Sequence, residues 1–218
     1  CTLDKPFDFS GALQLHPETA AVEPNAKLQN MTYSLTTAVR LVSGITNSPL
    51  TRKTSEEQCT AAAGELSVDK GEAPWSFTSV DIGSVMNGVG FVTDDPNSDT
   101  FVQTITPVAK ADQLMGKSEL KNRPTFAMST QTVGALAQAA GLSQDDLLSS
   151  GAVVGFAVNA QQQPVSGVEV GTVMNQKVSP GGDVIYPNQA LSGATKGSEG
   201  GSTSANGLFI MTNSQTAL

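Results

Sequence analysis

Charge is scarce in this chain. Asp, Glu, Lys and Arg make up 15% of its 218 residues, against about a quarter in ordinary globular proteins. The charge present leans acidic, with 20 acidic residues against 12 basic and a net charge of −8. No basic run is longer than Arg52-Lys53. Nucleic-acid binding needs a basic footprint that neutralises phosphates, so that partner class is excluded. An anionic membrane surface would repel the chain for the same reason. No apolar run reaches the roughly 20 residues of a membrane-spanning helix.

Histidine and aromatic residues are also few. The single histidine is His16. A Ser-His-Asp or Cys-His relay would have to use it, and no Gly-x-Ser-x-Gly motif accompanies it. Followed by Pro17 at the end of a strand-like run, His16 reads as a surface residue. One His and two Cys do not supply the three or four N/S ligands of a zinc site. Glycosidase chemistry needs two carboxyls facing across a cleft, and 20 acids allow arbitrary pairs without marking one. Sugar-binding surfaces display several aromatic rings. With one Trp and two Tyr, that use is poorly provided for, and Trp75 in an alternating run reads as core. The expectation is a protein without catalytic residues and without a cofactor.

The polarity lies instead in Ser, Thr, Asn, Gln and Gly, and the patterning is that of β-structure. Residues 7 to 15 (Phe-Asp-Phe-Ser-Gly-Ala-Leu-Gln-Leu) alternate as a half-buried strand with Gly11 at a bend or bulge. Met31 to Val42 holds a second strand, strongest at Ala38 to Val42. Residues 43 to 74 are polar, with a short helix over Thr54 to Gly64 around Cys59. Trp75 to Val80 is a further strand. Val85 to Thr93 and Thr100 to Val108 are strands separated by Asp94-Asp95-Pro96-Asn97-Ser98-Asp99. That separator is turn chemistry and makes the pair a hairpin. Asp95, Asn97 and Asp99 also have the one-three-five spacing of a calcium loop, with Asp94 as an extra oxygen ligand. Thr100 and Thr106 stand where an EF-hand has Gly and Glu. A plain turn is the main reading and a weak, water-rich calcium site the alternative.

One helix is clearly signalled. Ser129 caps it, Val133, Leu136, Ala137 and Ala140 form its apolar face, and Gly141 ends it. Ser143 offers a second cap, with Asp145 and Asp146 in the first turn, where the helix dipole favours acids. These helices read as a connector. The predicted organisation is mainly β: an N-terminal β-sandwich-like domain over 1–127, a helical connector over 128–150 and a second sandwich over 151–218. Residues 192 to 202, rich in Gly and Ser, read as an exposed flexible loop.

The last third carries a motif. Gly155, Pro164, Val165, Gly167, Val168 and Val170 are followed by Thr203, Asn206, Gly207 and Phe209. This resembles the carboxypeptidase regulatory-like, or prealbumin-like, β-sandwich family over residues 151–213. Ala157 stands where Val is usual. Asn159 and Ser204 stand where Asp is usual, and Gln162 and Gln163 replace the turn glycines. The resemblance implies an antiparallel sandwich with core contacts from Phe156, Val158, Val168, Val170, Leu208 and Ile210 or Phe209. It also implies a noncatalytic module appended to an enzyme or surface protein.

Cys1, followed by Thr2-Leu3-Asp4-Lys5-Pro6, resembles the mature N-terminus of a bacterial lipoprotein, which implies acylation of Cys1. A Cys1–Cys59 disulfide is the alternative, since an even cysteine count permits it; two free thiols are the third state. The functional expectation is a noncatalytic lipoprotein of the cell surface, outer membrane or extracellular space, acting in binding or structural display. It would meet a membrane only through its lipid, and would engage a protein partner or copies of itself. A subunit of an extracellular fibre or layer joined by strand edges, or a carbohydrate-binding accessory module, are the alternatives.

Overall fold

A computed structural model describes residues 6–28, 31–37, 51–54, 72–82, 88–95, 99–174, 177–180 and 184–212. Cys1, Cys59, the expected strand at 38–42, all of the helix expected over Thr54 to Gly64 except Thr54, which ends a strand, and Asn97 lie outside the described residues. The structure is mainly β. The chain divides into two compact units, Cys1–Thr132 and Val133–Leu218.

The first unit is built around β1 (Phe7–Leu15). It pairs antiparallel with β4 (Glu72–Val80) and parallel with β8 (Glu119–Ser129). β6 (Phe101–Val102) pairs with β8 and completes the sheet order β4-β1-β8-β6. The second sheet runs β3-β2-β5-β7, from β3 (Thr51–Thr54), β2 (Thr32–Thr37), β5 (Val89–Asp94) and β7 (Thr104–Ala109). β5 and β7 are the expected hairpin, with Thr93 opposite Thr104. The second run of that hairpin is broken in two, because Phe101 and Val102 leave it to pair with Met128 and Ser129 of the other sheet.

β4 shows why these residues form a strand. Ala73, Trp75 and Phe77 point inward while Glu72, Pro74, Ser76 and Thr78 stay exposed, the period-two pattern of a strand buried on one face. The buried residues of the two sheets meet in one cluster. Trp75 lies 4.7 Å from Phe91, and Tyr33 lies 5.4 Å from Phe91 and 5.8 Å from Phe77, between ring centroids. Such aromatic pairs add to the burial of large apolar surface.

β1 is flanked by two bulges. The three residues of β1 from Phe7 to Phe9 face four of β4 from Phe77 to Val80, and the three from Phe9 to Gly11 face four of β8 from Leu120 to Arg123. Ser79 (φ 54°) and Asn122 (φ 57°) take the left-handed conformations within these stretches. Asp8 Oδ1 accepts the Ser79 backbone N–H at 2.8 Å and fastens the first bulge. Gly11 is required by close packing: a Cβ there would lie 2.6 Å from Trp75 Cζ2 and would collide with the Arg123 carbonyl.

Short helices join the strands: α1 (Pro17–Val22), α2 (Ala111–Leu114), α3 (Thr130–Ala140) and α4 (Gln144–Ser150). The capping expectations hold. Ser129 Oγ accepts the Thr132 N–H at 3.1 Å, and Ser143 Oγ accepts the Asp146 N–H at 3.0 Å. Gly141 ends α3 with φ 70°.

The second unit contains the sheet β13-β12-β14-β9 and the ribbon β10-β11. The strands are β9 (Ala152–Phe156), β10 (Gly171–Met174), β11 (Lys177–Pro180), β12 (Val184–Pro187), β13 (Ala194–Lys196) and β14 (Leu208–Thr212). Leu208 and Ile210 are buried, as are Val184, Ile185 and Tyr186. Two expectations are corrected here. Residues 165–170 form no strand and Val158 is 43% exposed. That stretch is instead tied to Thr203, whose Oγ1 donates to the Val165 carbonyl and accepts the Val168 N–H. The Gly/Ser-rich stretch 192–202 is exposed but ordered into β13 and a 3-10 turn, Gly197–Glu199. Its backbone pairs with Ile185, Tyr186 and Pro187, which side-chain composition does not reveal.

Candidate functional site

Two places gather polar groups with defined geometry. The first lies where β1 leaves its sheet. His16 donates its backbone N–H to the Ala127 carbonyl at 2.8 Å and then turns the chain into α1, with Pro17 at the first helical position. His16 was expected at the surface. It is instead 5% exposed, because its Nδ1 serves as the N-cap acceptor for the Glu18 N–H at 3.3 Å. Its ring stands edge-on to Phe126, 6.1 Å away. Accepting at Nδ1 requires that nitrogen to be unprotonated, and burial lowers the pKa from 6.5 to about 4 by desolvation.

α1 then carries Thr19 and Glu23 to the start of α3. Thr19 Oγ1 accepts the Ser129 N–H at 3.2 Å, the Ser129 hydroxyl donates to Glu23 Oε1, and Thr132 Oγ1 lies 2.9 Å from Ser129 Oγ. Ser129, Thr19 and Glu23 are therefore brought together from more than 100 positions apart, and the arrangement works as a fastener. Ser129, Thr132 and Thr19 are fully buried, and the Ser129 hydroxyl is already committed as helix cap and as donor to a carboxylate. A nucleophile needs a general base within reach and room for a reacting carbon. Here His16 Nδ1 is occupied by backbone, and the serine has no exposed surface to offer.

The second place is one end of the sheet in the second unit. β9 ends at Phe156 opposite Leu208, where β14 begins. β12 runs antiparallel to β14, so its last residue, Pro187, reaches the same end. Three loops emerge there, and each is held by an asparagine. Asn159 Oδ1 accepts the N–H groups of Gln161 and Gln163, both at 2.9 Å. Asn188 Oδ1 accepts the Ser192 N–H at 3.0 Å. Asn206 Oδ1 accepts the Leu208 N–H at 3.2 Å and the Ser204 hydroxyl at 2.7 Å. The loops are also linked to one another: Gly207 accepts from the Ala157 N–H, and the one proton of the Ser204 hydroxyl is shared between Asn206 Oδ1 and the Pro187 carbonyl, 3.0 Å away. Gln161, Gln162, Gln163, Gln189 and Ser192 stand exposed on them. Of these three holding residues the sequence marks Asn206 most clearly, through its Asn-Gly dipeptide. Asn159 and Asn188 carry only the weaker signal of an amide at the start of a turn.

Asp94 closes β5 and is half-buried, as is Asp95, while Asp99 is exposed and its carbonyl accepts from the Thr130 hydroxyl. Asn97 lies outside the described residues. Among the described residues no group of three or more His, Cys, Asp or Glu side chains gathers as for a metal ion. Trp75 is interior, 2% exposed, with its indole N–H on Thr125 Oγ1 at 3.0 Å. Tyr33 and Tyr186 are buried as well, and the Tyr186 hydroxyl accepts the Val170 N–H at 2.7 Å. None of these three rings is presented as a sugar platform. Among the described residues no helix is long and apolar enough to cross a membrane.

No protein-family model, curated protein or solved structure matches this chain.

Proposed function

We propose that this chain is a noncatalytic cell-surface or envelope protein whose C-terminal unit presents a loop cluster to a protein partner. In this reading the first unit is a β-sandwich, and the second is a module of the carboxypeptidase regulatory-like type, with α3 and α4 connecting them. The observation that carries the reading is the loop end of the β13-β12-β14-β9 sheet, where three loops are each pinned by an Asn side chain to their own backbone. Loops fixed in this way are preorganised, and preorganisation lowers the entropic cost of binding. Their exposed groups are amides and hydroxyls, so the partner surface they suit is uncharged and hydrogen-bonding. The noncatalytic part is supported by the structural employment of His16 and Ser129. Acylation of Cys1 belongs to the same reading.

Lys196, exposed on β13, gives the test of location. A membrane-impermeant amine reagent applied to intact cells should modify it, and protection of Lys196 until lysis would sink the surface reading. Intact mass of the native protein separates an acylated Cys1, which adds lipid mass, from a Cys1–Cys59 disulfide, which removes two hydrogens. Peptide, ester and glycoside model substrates should show no turnover above buffer. Reproducible turnover abolished by Glu23→Gln would overturn the noncatalytic part.

A further inference from the structure

The Asn-Gly dipeptide that marks Asn206 is also a chemically labile step. The backbone nitrogen of the residue after an asparagine can attack the side-chain amide carbon. The N–Cγ bond forms, the Cγ–Nδ2 bond breaks, and the side-chain nitrogen leaves as ammonia with the former backbone amide proton. Water then opens the five-membered imide at either carbonyl and gives aspartate or isoaspartate; nothing is oxidised or reduced. Glycine in the next position removes the Cβ that hinders this attack and leaves the backbone free to reach it. The chain has two such steps, Asn87-Gly88 and Asn206-Gly207, and Asn87 lies outside the described residues.

At Asn206 the fold holds each reacting group. Ala205 and Asn206 are the central residues of a turn closed by the Gly207 N–H, which donates to the Ser204 carbonyl at 2.9 Å. The attacking nitrogen must give up that proton and swing over Cγ, and doing so opens the turn. The amide under attack is held as well. Asn206 Oδ1 accepts the Leu208 N–H at 3.2 Å and the Ser204 hydroxyl at 2.7 Å, which fixes the side chain in an Asx turn. Gly207 is buried with φ 69°. Its carbonyl accepts the Ala157 N–H at 2.8 Å, and a Cβ on it would lie 2.5 Å from the Ala157 carbonyl oxygen. The backbone that has to rotate is therefore packed closely against the loop that follows β9.

We infer that Asn206 is a latent modification site: the closed turn suppresses imide formation, opening of the turn releases it, and isoaspartate at position 206 then records that the second unit has opened and keeps it from closing. The last step follows from position. Leu208, two residues on, begins β14 and is fully buried opposite Phe156. An isoaspartyl link carries the main chain through the side-chain methylene, so the backbone becomes one carbon longer directly before that strand. It also leaves a carboxylate among loops whose exposed groups are amides and hydroxyls. Plain aspartate keeps the chain length and an oxygen acceptor for Leu208 and Ser204, so it leaves the turn able to close. This goes beyond the loop-display reading and does not require it, since loops that meet no partner would react in the same way.

Incubation of the full chain in mildly alkaline buffer, with and without urea, tests the inference, read by peptide mapping and by enzymatic methylation of isoaspartate. In urea, position 206 should deamidate readily, alongside Asn87. In native buffer it should react at least about tenfold more slowly, since ring closure there breaks hydrogen bonds of ordinary strength. Ser204→Ala, which removes one donor to Oδ1, should speed the native reaction with circular dichroism retained and the rate in urea unchanged. Ser204→Thr, which keeps the hydroxyl, should stay slow. After urea is removed, chains with isoaspartate at 206 should fail to regain the full β-sheet signal that chains with aspartate there regain. Equal rates at 206 in native buffer and in urea, or a native rate untouched by Ser204→Ala, overturn the lock, and full recovery of the isoaspartyl chains overturns the one-way record. None of these results touches the surface location, which the Lys196 labelling reads independently.

Discussion

The ring of Phe209 occupies the space where a side chain on Gly155 would stand. The two residues are directly paired between β14 and β9, and a Cβ on Gly155 would lie 2.8 Å from Phe209 Cε1. An aromatic ring covering a cross-strand glycine restores packing that the glycine alone forgoes. Gly155→Ala should therefore destabilise the second unit by about 1–3 kcal/mol, the usual cost of overpacking. Phe209→Ala should abolish most of that penalty in the double variant. A thermodynamic cycle from urea unfolding checks the coupling, and additive effects would mean the ring moves aside freely.

His16 sets an acid limit on the first unit. Its pKa is about 4 in the folded chain and 6.5 when free. Between these values the unfolded chain binds a proton that the folded chain refuses, so stability rises with pH there. The contribution is complete above pH 6.5, declines as the pH falls through 6.5, and is gone near 4. The span corresponds to about 3 kcal/mol. Urea unfolding at pH 7 and at pH 4.5 should show this loss in the wild type. His16→Asn, which keeps an N-cap acceptor but cannot titrate, should show a smaller loss, and the same loss in both proteins would exclude His16 as the cause.

Thr125 should matter more than its size suggests. Its hydroxyl accepts the Trp75 indole N–H at 3.0 Å and donates to the Ala12 carbonyl at 3.2 Å. Thr125→Val keeps the shape and leaves a buried donor unpaired, at a cost of about 1–3 kcal/mol. Trp75 is the only tryptophan, so fluorescence-detected unfolding reads the change directly.

The two helix caps should differ. Ser143 caps α4 in an exposed setting, and Ser143→Ala should cost about 1 kcal/mol. Ser129→Ala removes a cap and also the hydroxyl donor of the Glu23 carboxylate. It should cost clearly more, and equal midpoints in thermal denaturation would reduce Ser129 to a simple cap.

Much of the strand content was legible because one-sided burial imposes a period of two, as in β4, and because cap chemistry is local, as at Ser129 and Gly141. β8 escaped notice. Its Lys121, Asn122 and Pro124 look like loop residues, and they are accommodated by a bulge and by parallel pairing to a strand more than 100 residues away. His16 was misplaced for a related reason. A His-Pro step reads as an exposed strand end unless the following helix is known to need a cap. The loop cluster was visible only at Asn206, because what gathers the three asparagines is the order of β9, β12 and β14 in the sheet.

The parallel pairing of β1 with β8 also governs when the first unit can form. Ala12 and Thr125 are 113 positions apart, so the strand made first stays without one of its two neighbours until more than 100 further residues have left the ribosome. Contacts of such long range are slow to establish, and the wait exposes hydrophobic segments. A chain with this topology emerges long before it can close, which places the burden of protection on whatever shields the first strand until its partner arrives.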